Sequence, residues 1–361
     1  MSKNENPMGA INILQSHRNF WNNSPGLVLR RTEPSGIRDP LRSHISNENI
    51  KGEFTPKMVD TERIVKEITL NYQDRPLLCG DTFQNVSFAK VIPWMEAIIG
   101  CQIYSLGKGG ASMVANPPNI EPNDLSMHLR YVLDNIEENV WFKKLSDGYE
   151  ALAEALGNKL PIVQTLLRGP GDMMGALLGH ENFIWRMMKP ADNEDFLEVL
   201  LDLCAKIYIK TAKIELEHAK EFKGGYCNEW GIWAPRLNVR IQEDEASLVS
   251  PKLYNKFLLP YHIQEVAAFD YSTMHMHSGY VKSVYNWKEF SKESTIGAFE
   301  VGLDPNGPTT EDLVETLLGI NSEKPLIIDI CNEEQERVIE KHNGDFPGSI
   351  LHCKATPTLG T

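Results

Sequence analysis

The chain has 361 residues, of which 42% are hydrophobic and 24% are charged, as in a globular protein with a sizeable core. Its 36 basic and 49 acidic residues give a net charge of −13, with no basic block. An acidic surface repels phosphate groups, which argues against nucleic acid and anionic membranes as partners.

Neither a signal peptide nor a membrane helix is predicted. Residues 1–12 are polar, and no segment reaches the roughly 18 to 20 apolar residues that a membrane helix needs. The six cysteines are scattered, whereas a secreted disulfide scaffold has densely spaced ones. We therefore expect reduced thiols and a cytoplasmic protein.

Taken in chain order, the sequence predicts an extension followed by alternating strands and helices. Residues 1–60, rich in Asn, Ser, Arg and Pro, are expected to pack on a domain of residues 61–361. From Asp74 onward, short apolar runs alternate with longer helical patterns, which is typical of parallel βα units. The strongest helical periodicity covers residues 193–221. The predicted strands are residues 75–79, 101–105, 160–167, 224–227, 272–277, 295–301, 325–330 and 349–352.

These strands fit either a closed barrel or an open doubly wound sheet. The first strand is followed by Gly80-Asp81-Thr82, which is not a glycine-rich dinucleotide motif. The even alternation favours an α/β fold, a single (β/α)8 TIM-type barrel with an N-terminal extension. In that fold the functional residues lie at the carboxyl ends of the strands.

The most informative strand end carries two histidines. His275 and His277 lie two residues apart on one strand and therefore face the same side. Two such imidazoles can bind one zinc ion together with a thiolate from another strand. Cys353 is the favoured third ligand, with Cys331 and Cys79 as alternatives. An HxH pattern is weak evidence for metal, so hydrogen-bonded or acid–base histidines are the alternative.

Other charged residues follow the predicted strands. Glu229 is flanked by Trp230 and Trp233, and such aromatic surroundings are expected to raise the pKa of its carboxyl group. Arg168 could hold a substrate carboxylate through two hydrogen bonds, with pairing to Asp172 as the structural alternative.

Two acidic stretches are interpreted as mainly structural. Residues 304–308 have the Pro and Gly of a turn. Residues 242–245 are interpreted as a solvated or capping run before the helix that Ser250 and Pro251 begin.

Several stretches carry a family resemblance: residues 161–170 with 179–183, residues 245–251 with 259–261, residues 275–279 and residues 350–357. In their order and spacing, they make the chain resemble the uroporphyrinogen decarboxylase-like superfamily over roughly residues 74–358. That resemblance implies a single barrel and one of two chemistries.

The first chemistry is decarboxylation without metal or organic cofactor. True uroporphyrinogen decarboxylases carry an Arg-Gln-Ala-Gly-Arg-Tyr signature after the first strand, where residues 79–84 here have no arginine. Cys353 also stands in place of their near-C-terminal histidine. Both departures argue against that substrate, so a metal-free decarboxylase of a tetrapyrrole or small acid is the alternative. A catalytically inactive corrinoid- or tetrapyrrole-binding module is the third hypothesis.

The second chemistry is zinc-dependent methyl transfer. The superfamily's zinc methyltransferases carry a His-x-Cys-Gly strand end and a later cysteine. His275 falls on the family histidine, His277 on its cysteine, and Cys353 on the later cysteine. The resemblance thus implies zinc at these residues and a methyl group moving between a corrinoid and a thiol or similar small acceptor. The corrinoid would be supplied in trans by a separate carrier protein.

The remaining candidates receive roles within this hypothesis. Glu229 and Asp81 are expected to place or deprotonate a small-molecule substrate. A homodimer is left open. The predicted substrate-binding residues are Arg168, Gln84, Trp230 and Asp304.

Overall fold

A central parallel sheet flanked by helices organises the protein. The computed structural model describes residues 7–32, 39–107, 113–281 and 287–354. All neighbouring strands in the sheet pair in parallel, so their carboxyl ends meet at one edge. In order across the sheet, the six strands are β1 (Val28–Thr32), β13 (Ile350–Lys354), β12 (Leu326–Ile330), β11 (Ala298–Gly302), β10 (Tyr271–His277) and β9 (Asn238–Ile241).

Helices connect the strands and cover the sheet. Within the described ranges, no helix is both long enough and apolar enough to cross a bilayer. Single 3-10 turns lie at Pro56–Met58, Pro122–Asp124, Ile136–Glu138 and Asp244–Leu248. The α-helices are α1 (Pro7–Trp21), α2 (Pro40–Asn47), α3 (Thr61–Tyr72), α4 (Trp94–Ile98), α5 (Leu125–Asp134), α6 (Val140–Leu156), α7 (Pro170–Leu178), α8 (His180–Met188), α9 (Pro190–Ala219), α10 (Pro251–Phe257), α11 (Leu259–Ala267), α12 (Trp287–Glu293), α13 (Thr310–Glu323) and α14 (Glu333–Lys341).

Smaller antiparallel sheets contain three of the predicted strands. These sheets are β2 (Lys51–Glu53) with β5 (Gln102–Leu106) and β6 (Val114–Asn116), β3 (Leu78–Cys79) with β4 (Thr82–Phe83), and β7 (Tyr226–Cys227) with β8 (Trp233–Ala234). The strands predicted at 75–79, 101–105 and 224–227 therefore exist in part, but their assignment to a parallel sheet is wrong. Short apolar runs look alike in both kinds of sheet, since the pairing partner decides the direction.

The strands of the parallel sheet that come last along the chain were predicted better than the others. The four strands predicted from residue 272 onward are confirmed as β10 to β13. Of residues 160–167, the structure retains a single parallel bridge between Ile162 and Val86. Strands β1 and β9 are absent from the sequence-based prediction. Because β1 lies within residues 1–60, part of the predicted extension belongs to the central sheet; the boundary near residue 60 stays a prediction.

Side-chain alternation along β10 places its histidines. Met274 and Met276 pack in the large hydrophobic core that the sheet shares with the helices. Because successive side chains point to opposite faces of a strand, His275 and His277 lie on the other face. That face, at the carboxyl end of the sheet, carries the candidate site.

The buried imidazole of His17 anchors α1 through two hydrogen bonds. These hydrogen bonds also define its tautomer. Its Nε2 donates to the carbonyl oxygen of Asp81 (2.8 Å), and its Nδ1 accepts from the backbone N–H of Trp233 (3.0 Å). Burial lowers the pKa of His17 to about 4. A proton on Nδ1 would face the N–H of Trp233, so the imidazole has to be neutral in the folded state.

We expect His17 to make the folded state less stable in acid. Its folded pKa of about 4 lies below the ordinary histidine value of 6.5, so between these values the unfolded chain binds a proton that the folded chain lacks. Above pH 6.5, protonation of His17 takes nothing from the free energy of unfolding. Between pH 6.5 and pH 4, it lowers the free energy of unfolding by about 1.4 kcal/mol per pH unit. Urea unfolding across this window should show a correspondingly smaller loss for His17→Gln than for wild type. Equal losses would contradict this assignment.

Candidate metal centre

His275 and His277 meet at the carboxyl end of β10. Their Nε2 atoms are 3.2 Å apart, and the two rings are nearly perpendicular, at 81°. The two-residue spacing places both imidazoles on one face of the strand, as the sequence analysis expects.

Each imidazole binds a carboxylate through its other ring nitrogen. His275 Nδ1 contacts Glu300, its register partner on β11, and His277 Nδ1 contacts Asp304 Oδ1 (2.8 Å). Ser278 Oγ donates to the other oxygen of Asp304 (3.1 Å) and thereby holds that carboxylate in place. An ionised carboxylate only accepts hydrogen bonds, so each Nδ1 then carries the proton and each Nε2 is bare.

Asp244 completes a group of three potential ligands. Its Oδ1 lies 3.8 Å from His277 Nε2, and the ligand atoms of Asp244, His275 and His277 all lie within 4.8 Å of one another. It is the one such group among the described residues. Gln242 Nε2 donates to both oxygens of Asp244 at 3.0 Å and orients the carboxylate. The side chains of His277 and Asp244 are 36% and 44% exposed, so a small molecule can reach the group.

This donor set fits a divalent transition metal. Two nitrogens bound to one tetrahedral zinc at about 2.0–2.1 Å are about 3.3 Å apart, close to what the histidines show. Two bare nitrogens facing each other at 3.2 Å repel unless a cation or a proton lies between them. Two imidazoles and one carboxylate, with further positions left open, are typical of catalytic zinc and iron(II) sites.

The same geometry is also compatible with a proton in place of a metal. Burial lowers the pKa of His275 and raises that of Glu300 to about 8. A protonated Glu300 can donate to His275 Nδ1, which leaves the His275 Nε2–H to donate to His277. The result is a continuous hydrogen-bond chain from Glu300 to Asp304. The geometry is therefore compatible with either a metal ion or a proton between the two Nε2 atoms.

Cys353, the predicted third ligand, is not part of this group. In the sheet register it lies between Asp329 of β12 and Arg31 of β1, three strands away from β10. It is 2% exposed and packs in a hydrophobic cluster with Leu351 and Phe20. Asp244 takes the place that the sequence analysis gives to a thiolate. The two alternatives, Cys79 on β3 and Cys331 after β12, are not in the group either.

Glu229 forms a buried ion pair instead of a neutral acid. Its Oε2 lies 2.9 Å from Arg240 Nη1, and the guanidinium also stacks over the Trp230 ring. Burial raises the pKa of Glu229, but the positive charges of Arg240 and Lys90 outweigh burial and lower it to about 2. The expected upward shift is therefore wrong. A carboxylate with so low a pKa is a poor general base at neutral pH, so it serves better to hold Arg240.

Asp81 and Arg168 are engaged in contacts away from the histidines. Asp81 Oδ2 accepts from the backbone N–H of Arg30 on β1 (2.9 Å). Arg168 Nη1 lies 2.9 Å from Glu96, so its ion-pair partner is Glu96 and not Asp172, the structural alternative considered from the sequence. The side chain of Arg168 is one-third exposed, which leaves it accessible at the surface.

The other predicted substrate-binding residues have different surroundings. Trp230 is buried in the small hydrophobic cluster with Phe20 and Leu29. Gln84 is 1% exposed, and its amide atoms have no hydrogen-bond partner in the described part of the chain. Asp304 lies in the expected turn, closed by the Gly307 N–H on its carbonyl (3.0 Å), but its side chain orients His277.

Gln242, Asp244 and Glu300 lie at the site, but the sequence pattern predicted no role there for any of the three. Asp244 follows β9, which is not among the predicted strands, and the run 242–245 is not a solvated one: Glu243 and Glu245 are 0% and 3% exposed. The available signal for Asp244 was the alternation of polar and apolar residues along β9, followed by an acidic run. For Glu300, the signal was a lone carboxylate inside an apolar strand that the sequence analysis does predict.

Comparison with known proteins adds no assignment to this geometry. No family model matches the chain. No curated protein matches it either.

Proposed function

We propose that the protein is a metal-dependent enzyme in which Asp244, His275 and His277 bind zinc. The observation that carries this proposal is the pair of facing Nε2 atoms at 3.2 Å, each on a ring whose Nδ1 contacts a carboxylate. Carboxylates in that position fix the tautomer and increase the basicity of metal-binding imidazoles. Glu300 and Asp304 would do so here.

We also propose that the six-stranded sheet is part of a closed (β/α)8 barrel. Backbone hydrogen bonds of 2.8 Å extend from both edges of the sheet, from Asp81 to β1 and from Gly169 to the residue after β9. Between these two segments, Val86 forms its parallel bridge with Ile162. Closure through residues 81–86 and 161–169 would put the metal centre at the carboxyl end of the barrel, where enzymes of this fold have their active sites.

The proposed reaction is methyl transfer between a corrinoid and a small thiol. A bound zinc ion would lower the pKa of a coordinated thiol and supply a nucleophile at neutral pH. Around it, the two histidines would hold fixed tautomers, and the guanidinium of Arg240 would stay fixed by its ion pair with Glu229. The identity of the transferred group rests on the resemblance to zinc methyltransferases, and the corrinoid would arrive on a separate carrier protein.

A metal-free lyase is the second candidate, and the hydrogen-bond chain from Glu300 to Asp304 favours it. Decarboxylation replaces a carboxylate by a proton, so the enzyme needs a proton donor. A Glu300 with a pKa raised to about 8 by burial holds a proton at neutral pH and can pass it through His275 to His277.

Metal analysis of protein produced without a histidine tag separates the two candidates. We expect close to one zinc per chain in wild type and little in His275→Ala, with iron, manganese and nickel measured alongside. A wild-type protein that neither contains nor takes up metal would reject the metal centre and favour the lyase. Methyl transfer is then tested by mixing the protein with methylcobalamin and a thiol and following the loss of the methylcobalt absorption. A protein that binds metal but shows no such loss would reject the thiol-methylation step alone.

Glu300→Gln is expected to weaken zinc binding by about 10- to 100-fold, because His275 loses the carboxylate that fixes its tautomer. Competition with a chromophoric chelator measures the affinity. Glu215→Gln is the control, since Glu215 is also buried but lies on α9, where its carboxylate accepts the backbone N–H of Thr165. Equal effects of the two substitutions would mean that Glu300 acts only through stability.

A further inference from the structure

The segment that carries Asp244 is joined to the start of α7 by hydrogen bonds in both directions. The Glu243 carboxylate accepts from the backbone N–H groups of Gly171 (2.8 Å) and Asp172 (2.7 Å). The Asp172 carboxylate accepts in turn from the N–H groups of Asp244 (3.1 Å) and Glu245 (2.8 Å). Each carboxylate thus binds the backbone of the other segment.

The two segments approach so closely that side chains are excluded at two positions. A Cβ on Gly171 would lie 2.7 Å from Glu243 Oε1, and a Cβ on Gly169 would lie 2.7 Å from the carbonyl oxygen of Gln242. Gly169 N–H also donates to that carbonyl at 2.8 Å. Glycine at both positions therefore permits the full set of hydrogen bonds.

Helix geometry explains why Glu243 belongs at this place. The first N–H groups of a helix have no acceptor within the helix, and the helix dipole favours a negative charge beside them. In α7 these include the N–H groups of Gly171 and Asp172, and Glu243 satisfies both. His262 Nε2 also contacts Glu243 Oε2 (3.1 Å), which limits the movement of the carboxylate further.

Fold stability alone is a weak reason for this arrangement. Glu243 is fully buried and Asp172 is 6% exposed, and buried carboxylates so close together repel each other. A neutral amide or hydroxyl could join two loops without that repulsion. What the two carboxylates achieve is a fixed backbone on both sides of Asp244, whose own carboxylate Gln242 then orients.

We propose that Asp172 and Glu243 are positioning residues that hold the Asp244 carboxylate opposite His275 and His277. This inference rests on the proposed metal centre, because it concerns Asp244 as a ligand. Asp172 accepts two N–H groups, and Asp172→Asn retains the shape but loses one acceptor oxygen. The freed segment allows Asp244 to move away from the histidines.

The test compares metal binding by wild type and Asp172→Asn. We expect the zinc affinity to fall by about 10- to 100-fold, the usual effect of losing a residue that supports a ligand. Cobalt(II) absorption gives a second readout, and its spectrum in Asp172→Asn should shift toward that of Asp244→Asn. Glu215→Gln is the matched control: this buried carboxylate also accepts a backbone N–H, that of Thr165, without touching the segment of Asp244.

A double-mutant cycle distinguishes positioning from general destabilisation. If Asp172 acts through Asp244, adding Asp172→Asn to Asp244→Asn should change the zinc affinity by less than about twofold. A further loss as large as in the wild-type background would overturn the proposal. Should Asp172→Asn fail to fold, Glu243→Gln takes its place in the same cycle, with the same expected result.

The outcomes also separate this inference from the proposed function. A wild-type protein that binds no zinc or cobalt would overturn both. A wild-type protein that binds metal, with unchanged affinity and cobalt spectrum in Asp172→Asn and Glu243→Gln, would overturn the positioning role alone.

Discussion

His277→Ala is expected to weaken zinc binding by about a thousandfold, since roughly 4 kcal/mol of binding free energy goes with one of three protein ligands. The substitution removes a nitrogen donor and leaves Asp304 without the imidazole that it orients. Because the His277 side chain is partly exposed, the fold should tolerate the change. Chelator competition on untagged protein measures the affinity, and methyl transfer should be lost with the metal.

The chain offers a close control for this substitution. His342 contacts Asp345 through Nδ1 at 2.8 Å, as His277 contacts Asp304, but it lies on the surface at the end of α14. His342→Ala should leave zinc affinity unchanged. If both variants bind zinc like wild type, the histidine pair is not a metal site, and the hydrogen-bond chain becomes the better explanation of its geometry.

The histidine pair could be predicted because its geometry is local. Side chains two residues apart on a strand lie on the same face, independently of the rest of the fold. The carboxylates behind the rings depend instead on which strands are neighbours: Glu300 reaches His275 because β11 pairs with β10 in that register. No pattern within either strand reveals that register.

One missed strand accounts for three errors at the site. Because β9 is absent from the prediction, the run 242–245, which holds Asp244 after that strand, is interpreted as solvated or capping, and Cys353 is favoured as the third ligand instead. Arg240, within β9, was likewise not expected beside Glu229, so the pKa of that carboxyl was predicted in the wrong direction. A strand of only four residues leaves little periodicity to detect.

Arg240→Met is expected to lower the free energy of unfolding by about 3 kcal/mol, because it leaves the Glu229 carboxylate buried without its counterion. The side chains of Arg240 and Glu229 are only 12% and 21% exposed, so water compensates little. Urea unfolding measures the loss. Adding Glu229→Gln should restore much of it, since the neutral amide costs less to bury than an unpaired charge.

Arg236→Met provides the comparison for a solvated ion pair. Arg236 lies 3.9 Å from Asp270, and its side chain is 73% exposed, so its loss should cost less than about 1 kcal/mol. Equal effects of the two arginine substitutions would mean that the Arg240–Glu229 pair is effectively solvated. If instead the large loss appears and Glu229→Gln reverses it, the arginine balances a carboxylate next to a centre that already holds Asp244, Glu300 and Asp304. Burial first and the charge of Arg240 second lower the pKa of His275, so it stays neutral, which is the form that can bind a metal.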